Sequence, residues 1–385
     1  MQIPFNKPYL TGKEQKYLED ALQRRELSGD GYYTERVTSL LERKFSLDNV
    51  MMTTSCTHAL EIAVELIELK EGDEVIMPSF TFPSTANAVI KQGAKPVFAE
   101  IKKDTLNIDP ADLEKKISKK TRAVIPVHYA GIACEMDEIA YLAEKYRLYI
   151  IEDAAQGVNA RYKDKYLGGI GDLGCYSFHA SKNYVSGEGG ALVINNNNSY
   201  FKKRAEVIRE KGTDRSRFLR GEVDRYTWID QGSSYSPAEL LMAVLYAQLE
   251  EMDQIKNMRR KIYEKYYNYL KPFLKTPFLD SMSYIPENRD SNYHIFYLKF
   301  SNKEVRDLVI TSLQNRGISA AFHYIPLHSS PMGQKLGYQT YDLALTTEVA
   351  ATIMRLPLYP ELTDQELRYI LENTADVLGS CKYGR

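Results

Sequence analysis

The sequence predicts an α/β protein: a large, doubly wound and mainly parallel sheet followed by a smaller C-terminal α/β unit. Three patterns carry this expectation. Apolar β-type runs recur from Gly12 to about residue 250, and amphipathic helical stretches separate them. A long helical pattern from about Pro237 through Tyr269 then leads into a second, shorter series of strand-like and helical segments.

In chain order the β-type runs are Asn49 to Thr54, Glu74 to Met77, Ala94 to Ala99, Ala123 to Val127, Leu148 to Ile151, Gly174 to Phe178 and Ala191 to Ile194. The stretches Thr57 to Lys70, Pro110 to Ser118 and Glu135 to Tyr146 between them have helical spacing. Beyond the long helical pattern come a strand-like run from Tyr293 to Phe300, a helix from Lys303 to Arg316 closed by Gly317, and a second strand near Ile318 to Tyr324. Helical stretches at Leu343 to Met354 and Thr363 to Leu378 complete the pattern, so the expected division is 1–250 and 251–385. No internal repeat is visible, and Asn195 to Asn198 is a turn-forming tract.

The whole-chain quantities exclude more than they specify. A formal net charge of -1 gives no global reason to expect nucleic acid or an acidic membrane surface as a partner. The first residues lack the basic head and apolar run of a signal peptide, and no apolar stretch is long enough to span a bilayer, so a cytoplasmic protein is expected. Cys56, Cys134, Cys175 and Cys381 are scattered without a CxxC pair, which suits reduced thiols.

The chemistry is concentrated in two segments. Ile150-Ile151-Glu152-Asp153 is an apolar strand ending in a carboxylate, and in open α/β sheets ligands sit beyond the carboxyl ends of strands. Lys182 lies 29 residues later, after the short β run Cys175 to Phe178 and before the glycine cluster Gly187 to Gly190. A lysine there can enter a cleft, lose solvent and present a free amine. An amine that condenses with an aldehyde, and a carboxylate that keeps a pyridine nitrogen protonated, are what pyridoxal phosphate requires.

Other segments fit the same end of the sheet. Thr53 to Leu60 follows a strand and opens a helix, where backbone N–H groups with Ser and Thr hydroxyls can cradle a phosphate; an ordinary N-cap is the competing reading. Ser177 offers another hydroxyl, and Pro78 to Thr85 brings aromatic residues that can stack on a flat ring. Gly169-Ile170-Gly171-Asp172-Leu173-Gly174 matches the dinucleotide pattern GxGxxG but opens a β-like segment rather than a helix. It reads as loop glycine, which leaves a nicotinamide oxidoreductase a poor rival. His323 and His328 have no third ligand, and Pro326 interrupts their spacing, so no metal is expected.

The motifs Thr54 to Leu60, Gly72 to Phe82, Glu152 to Gln156 and Ser177 to Asn183, taken together, resemble the DegT/StrS-type sugar aminotransferases over nearly the full length. That resemblance implies the aspartate aminotransferase-like fold (fold type I) and a homodimer with shared active sites. It implies Lys182 as the lysine bonded to the cofactor, Asp153 at the ring nitrogen, Gln156 near the ring oxygen, Phe82 over the ring, and Ser55, Cys56 and Ser177 around the phosphate. Many members carry Asn, reaching the neighbouring subunit's phosphate, where this chain has Ser234, so Ser234 is expected to act across the subunits.

Pro126 to Gly131, Ile208 to Ser216, Tyr226 to Tyr235 and Phe322 to Pro331 further resemble the branch of the family in which L-glutamate aminates C4 of dTDP-4-keto-6-deoxyglucose for bacterial surface polysaccharide. Amination at C3, or of another nucleotide-linked keto sugar, would use the same cofactor residues. Arg209, His323 and His328 are the candidates for the sugar nucleotide. The basic residues from Arg209 to Arg225 either meet its diphosphate or form a salt-bridged surface with Glu210, Asp214, Glu222 and Asp224.

Overall fold

A computed structural model describes residues 1–380; Cys381 lies outside the described residues. Seven strands form the main sheet: β1 (Val50–Thr53), β2 (Glu74–Pro78), β3 (Lys95–Ala99), β4 (Thr121–Val124), β5 (Tyr149–Asp153), β8 (Leu173–Ser177) and β9 (Gly190–Ile194). The hairpin β6 (Arg161–Tyr162) and β7 (Lys165–Tyr166) interrupts this series. The order β1-β9-β8-β5-β4-β2-β3 is parallel except at β9, which runs antiparallel to both neighbours.

Strand alternation explains why both faces are covered. Met52, Ile76, Val124, Ile150, Tyr176 and Val193 pack into one core, with helices Tyr32–Phe45, Met136–Tyr146 and Glu239–Glu250. Val75, Met77, Ala123, Ile151, Cys175 and Leu192 face the other core, with helices Cys56–Leu66 and Pro83–Lys91. On β5 the same alternation sends Glu152 and Asp153 to opposite sides.

The second unit is built on an antiparallel sheet of β10 (Leu279–Met282), β12 (Phe296–Phe300) and β13 (Ile353–Leu356), ordered β10-β12-β13. Its core takes in Phe296, Leu298, Val309, Leu313, Met354 and Ile370, and also Ile3 from the chain's start, whose backbone bonds Gly317 and Ser319. A two-residue strand β11 (Arg289–Asp290) pairs with β6.

Four boundaries differ from the sequence reading. The expected helix over Leu343 to Met354 stops at Thr352, because Ile353 to Leu356 extends to pair with β12 and Pro357 follows. The pattern from Pro237 to Tyr269 is two helices, Glu239–Glu250 and Met252–Leu270, broken at Glu251. Ile318 to Tyr324 makes only isolated bridges, Ile318 to Ile3 and Ala321 to Arg355, rather than a strand. Leu279 to Met282 carries Asp and Ser among its apolar residues and gave no β signal, yet pairs with β12. Among the described residues no helix is long and apolar enough to cross a membrane.

Candidate active site

A cavity of about 520 Å³ opens beyond the carboxyl ends of β5 and β8 and is closed on its far side by the second unit. Lys182, Asp153, Ser55, Cys56, Phe82, Gln156, Ser177 and His323 all line it. Residues separated by more than 250 positions meet there because the parallel strands deliver their ends to one edge and β13 brings in Arg355.

Lys182 sits in a turn after β8 that is held by its own backbone, Lys182 N–H donating to His179 O at 2.9 Å and Ala180 N–H to Gly187 O at 2.9 Å. Its amine makes no ion pair among the described residues. Burial pushes the amine below the ordinary lysine value of 10.5; Cys56 and Asp153 oppose this, and Arg355 adds to it. The result is a lysine biased toward its neutral, nucleophilic form.

Asp153 is 5% exposed, and both its oxygens are held: Thr85 Oγ1 donates to Oδ2 at 2.8 Å and Ala155 N–H to Oδ1 at 3.2 Å. Thr81 Oγ1 lies 3.0 Å from Thr85 Oγ1, extending the chain of hydroxyls behind the carboxylate. Gln156 is fixed at both ends of its amide, accepting from Ala130 N–H at 2.8 Å and donating to Tyr324 Oη at 3.0 Å.

The helix Cys56–Leu66 begins at the cavity wall. Ser55 Oγ accepts from His58 N–H at 3.2 Å, so the N-cap reading of this residue is realised in the structure. The first backbone N–H groups of a helix have no intrahelical partner, and here they face the cavity edge lined by Ser55, Cys56, Thr57 and Ser177. Gly190 makes this approach possible: a Cβ there would stand 2.3 Å from Ser55 C and 2.4 Å from Cys56 N. Burial pushes the Cys56 thiol well above its ordinary value, so it serves as a neutral wall.

On the second unit's side, His323 Nδ1 lies 2.9 Å from Tyr129 Oη and its ring lies over Tyr324, with centroids 3.5 Å apart. His294 Nδ1 lies 2.8 Å from Asn183 Oδ1. Burial, with the charges of Arg355 and Lys182 nearby, pushes both imidazoles well below their ordinary value, so both are neutral.

Three candidates lie elsewhere. Arg209 turns away to donate to Met52 O at 3.1 Å and to Asp30 at 2.5 Å. His328 is fully buried, with Nδ1 2.7 Å from Ser79 Oγ and Nε2 3.2 Å from Thr347 Oγ1, so both ring nitrogens are engaged away from the cavity. Ser234 is exposed in a separate surface bay with Ser28, Lys211, Arg215 and Tyr226. Four residues of the basic stretch are paired with carboxylates: Arg215 and Lys211 face Glu210, Arg217 faces Glu222, and Arg220 bridges Glu206 and Glu222.

The glycine loop also has a structural task. Gly168, Ile170 and Gly171 N–H groups donate to the buried Glu152 carboxylate at 2.8, 2.6 and 2.6 Å, and His128 Nε2 lies 2.9 Å from it. Because Cys134 N–H points at His128 Nδ1 at 3.2 Å, Nε2 is the protonated nitrogen and donates to Glu152. The loop therefore binds a carboxylate of its own chain and opens β8.

Residues 8–374 match the model of the DegT/DnrJ/EryC1/StrS aminotransferase family. The chain belongs to this family. Among its relatives in the family, the spore coat polysaccharide biosynthesis protein SpsC of Bacillus subtilis is 31% identical over 98% of this chain and 97% of its own length. The GDP-perosamine synthase of Escherichia coli O157:H7 is 28% identical over 96% and 97%. The sugar aminotransferase Spr1654 of Streptococcus pneumoniae, solved in its PMP form, superposes with a TM-score of 0.91 at 25% identity, covering 98% of this chain and all of that one; its PLP form is also solved.

The fold is therefore fold type I and the cofactor of this family member is pyridoxal phosphate. The residues present fit that group. The cavity holds a desolvated amine that makes no ion pair among the described residues, a carboxylate held at both oxygens, and a helix N-terminus flanked by hydroxyls. Phe82 lies at its mouth with 60% of its surface exposed, ready to cover a flat ring.

Sequence reasoning missed Thr85, Tyr324, His294 and Arg355. Thr85 and Tyr324 lie within segments singled out for other residues, the aromatic run Pro78 to Thr85 and the stretch Phe322 to Pro331. His294 is carried by a strand-like run and Arg355 lies one residue past the expected helix Leu343 to Met354, and neither gave a signal.

Proposed function

We propose that this chain transfers the amino group of L-glutamate to C4 of dTDP-4-keto-6-deoxyglucose, giving dTDP-4-amino-4,6-dideoxygalactose for bacterial surface polysaccharide synthesis in the cytoplasm. The observation that carries the amino-transfer chemistry is Lys182, a desolvated amine sharing one cavity with the fixed Asp153 carboxylate. The choice of sugar rests on the segments Pro126 to Gly131, Ile208 to Ser216 and Tyr226 to Tyr235. The names of the relatives, a polysaccharide biosynthesis protein and a GDP-perosamine synthase, support a nucleotide-linked keto sugar as acceptor.

Pyridoxal phosphate, when bound, supplies an electron-withdrawing ring and carries the amino group between donor and acceptor. Lys182 holds it, and Nζ then takes the proton from the donor's α-carbon and returns one to C4 of the sugar in the second half-cycle. Asp153, held by Thr85 and Ala155, keeps a proton on the ring nitrogen. Ser55, Cys56 and Ser177 with the helix N-terminus would hold the phosphate, and Phe82 and Gln156 would hold the ring. His323, neutral and fixed by Tyr129, is the cavity's candidate for contact with the sugar.

The working unit is a homodimer. Between residues 218 and 229 the chain leaves Phe218, Leu219, Tyr226, Trp228 and Ile229 exposed beside the Ser234 bay, an apolar surface suited to a second copy that would bring Ser234 to its cofactor.

Two measurements test the reading. Borohydride treatment of the holoenzyme should fix the cofactor to Lys182, as found by peptide mass mapping, and should fail in Lys182→Ala. NMR of the product from L-glutamate and dTDP-4-keto-6-deoxyglucose should show an axial amine at C4. Amination at C3, or turnover of a GDP-linked keto sugar alone, would replace the sugar assignment.

A further inference from the structure

The helix that begins at the phosphate-facing edge carries one imidazole that the cavity does not use. Ser55, Cys56, Thr57 and Leu60 line the cavity, whereas His58, in the same first turn, does not. Its half-buried ring packs instead on Tyr235, with centroids 4.7 Å apart and planes at 51°. Nδ1 lies 2.5 Å from Thr54 Oγ1, and Thr54 N–H donates to Tyr235 O at 2.9 Å. One turn further along the same helix face, Glu61 accepts from Tyr235 Oη at 3.3 Å and from Lys91 Nζ at 2.6 Å. Tyr235 is thus gripped, side chain and backbone, by the elements that face the cofactor phosphate.

Tyr235 follows Ser234, and the two side chains leave the segment on opposite sides. Tyr235 packs against the core that contains Ala59 and Leu60, while Ser234 is exposed in the bay with Lys211 and Arg215. Burial lowers the His58 imidazole below its ordinary value, with Glu61 opposing and Lys91 adding, so a neutral ring meets the phenol. The turn around Ser55 does not depend on that ring. Ser55 Oγ accepts from the backbone N–H of His58 at 3.2 Å, and Ser55 O accepts from Thr53 Oγ1 at 2.8 Å and Ala59 N–H at 3.1 Å. What the imidazole braces is the segment that carries Ser234.

We propose that His58 is a positioning residue for the cofactor phosphate of the opposite subunit, acting through Tyr235 on Ser234. The proposal rests on the homodimer reading above, in which Ser234 of one copy meets the cofactor of the other. A serine at the surface has conformational freedom to lose when it binds an anion, and bracing its backbone beforehand lowers that cost. One helix turn then serves two phosphates, its own through backbone N–H groups and its neighbour's through a side chain.

The test titrates pyridoxal phosphate into the cofactor-stripped dimer and follows the absorbance of the lysine adduct, with pyridoxal as the phosphate-free control. H58A places the best helix former in the first turn, so the helix itself is not weakened. The variant should bind pyridoxal phosphate about tenfold more weakly, the effect of one misplaced hydrogen bond to a charged group, and pyridoxal within about twofold of wild type. Equal losses for the two ligands, or no loss for either, overturn the proposal.

Hybrid dimers decide which subunit feels the change. K182A removes the adduct from one chain, so only the other chain's site is read. With H58A on the K182A chain the live site should lose about tenfold in affinity, and with H58A on the chain that keeps Lys182 it should stay within about twofold. The reverse pattern would confine the effect to the subunit that carries it and overturn the proposal. A chain that sediments as a monomer while binding the cofactor at full affinity removes the homodimer reading and the proposal with it. A dimer whose hybrids both match wild type rejects the role of His58 alone.

Discussion

Thr85 Oγ1 donates to Asp153 Oδ2 at 2.8 Å from the first turn of the helix Pro83–Lys91, so the carboxylate is aimed by a neighbouring βα unit as well as by its own strand. Thr85→Val keeps the shape and removes the donor. It should raise the cofactor dissociation constant about tenfold, the loss of one hydrogen bond to a charged acceptor. Asp153→Ala should lower kcat by about a thousandfold or more. Cofactor titration and steady-state assays check the pair; equal effects of the two substitutions would show that Thr85 does more than aim.

Desolvation of Lys182 gives the cofactor-free protein a pH signature. The folded amine has a lowered pKa, so between that value and the ordinary 10.5 the unfolded chain binds more protons than the folded one. Stability therefore rises with pH across that window. Lys182→Met removes the burden, so the variant should be more stable than wild type at neutral pH and the gain should fade toward pH 10.5. Urea melts of the cofactor-free proteins at several pH values check this, and a gain that grows with pH would contradict it.

Glu152 should behave as a purely structural residue. Its buried carboxylate accepts from three loop N–H groups and from His128. Glu152→Gln forces an amide N–H against some of these donors and should cost about 3 kcal/mol. Chemical denaturation measures it, and the cofactor's absorbance spectrum should be retained under native conditions.

Gly190→Ala tests the contact between β9 and the phosphate-facing helix. The new methyl would meet Ser55 C at 2.3 Å and Cys56 N at 2.4 Å, both backbone atoms that cannot step aside. A stability loss of about 2 kcal/mol, with weaker binding of cofactor than of its phosphate-free analogue pyridoxal relative to wild type, is expected.

The sequence made legible what depends on local pattern. The main-sheet strands are alternating or continuous apolar runs, and Asp153, Ser177 and Lys182 lie on or beside them, so their convergence followed from topology. What stayed hidden depends on tertiary pairing. Ile353 and Met354 close the expected helical stretch, yet Ile353 to Leu356 forms a strand because β12 offers it an edge, which places Arg355 in the cavity. Arg209 and His328 are polar residues of the right type in the right segments, but Asp30 and Ser79, remote in sequence, hold them elsewhere.

The adjacency of Glu152 and Asp153 on β5 has one more consequence. A strand slipped by a single residue would put the Asp153 carboxylate among the Gly168 to Gly171 amides and leave the pyridine pocket without its acid. The four donors around Glu152 thus act as a register lock: they recognise the longer side chain at one position only, and folding errors that would produce a well-packed but inert enzyme are penalised before any cofactor arrives.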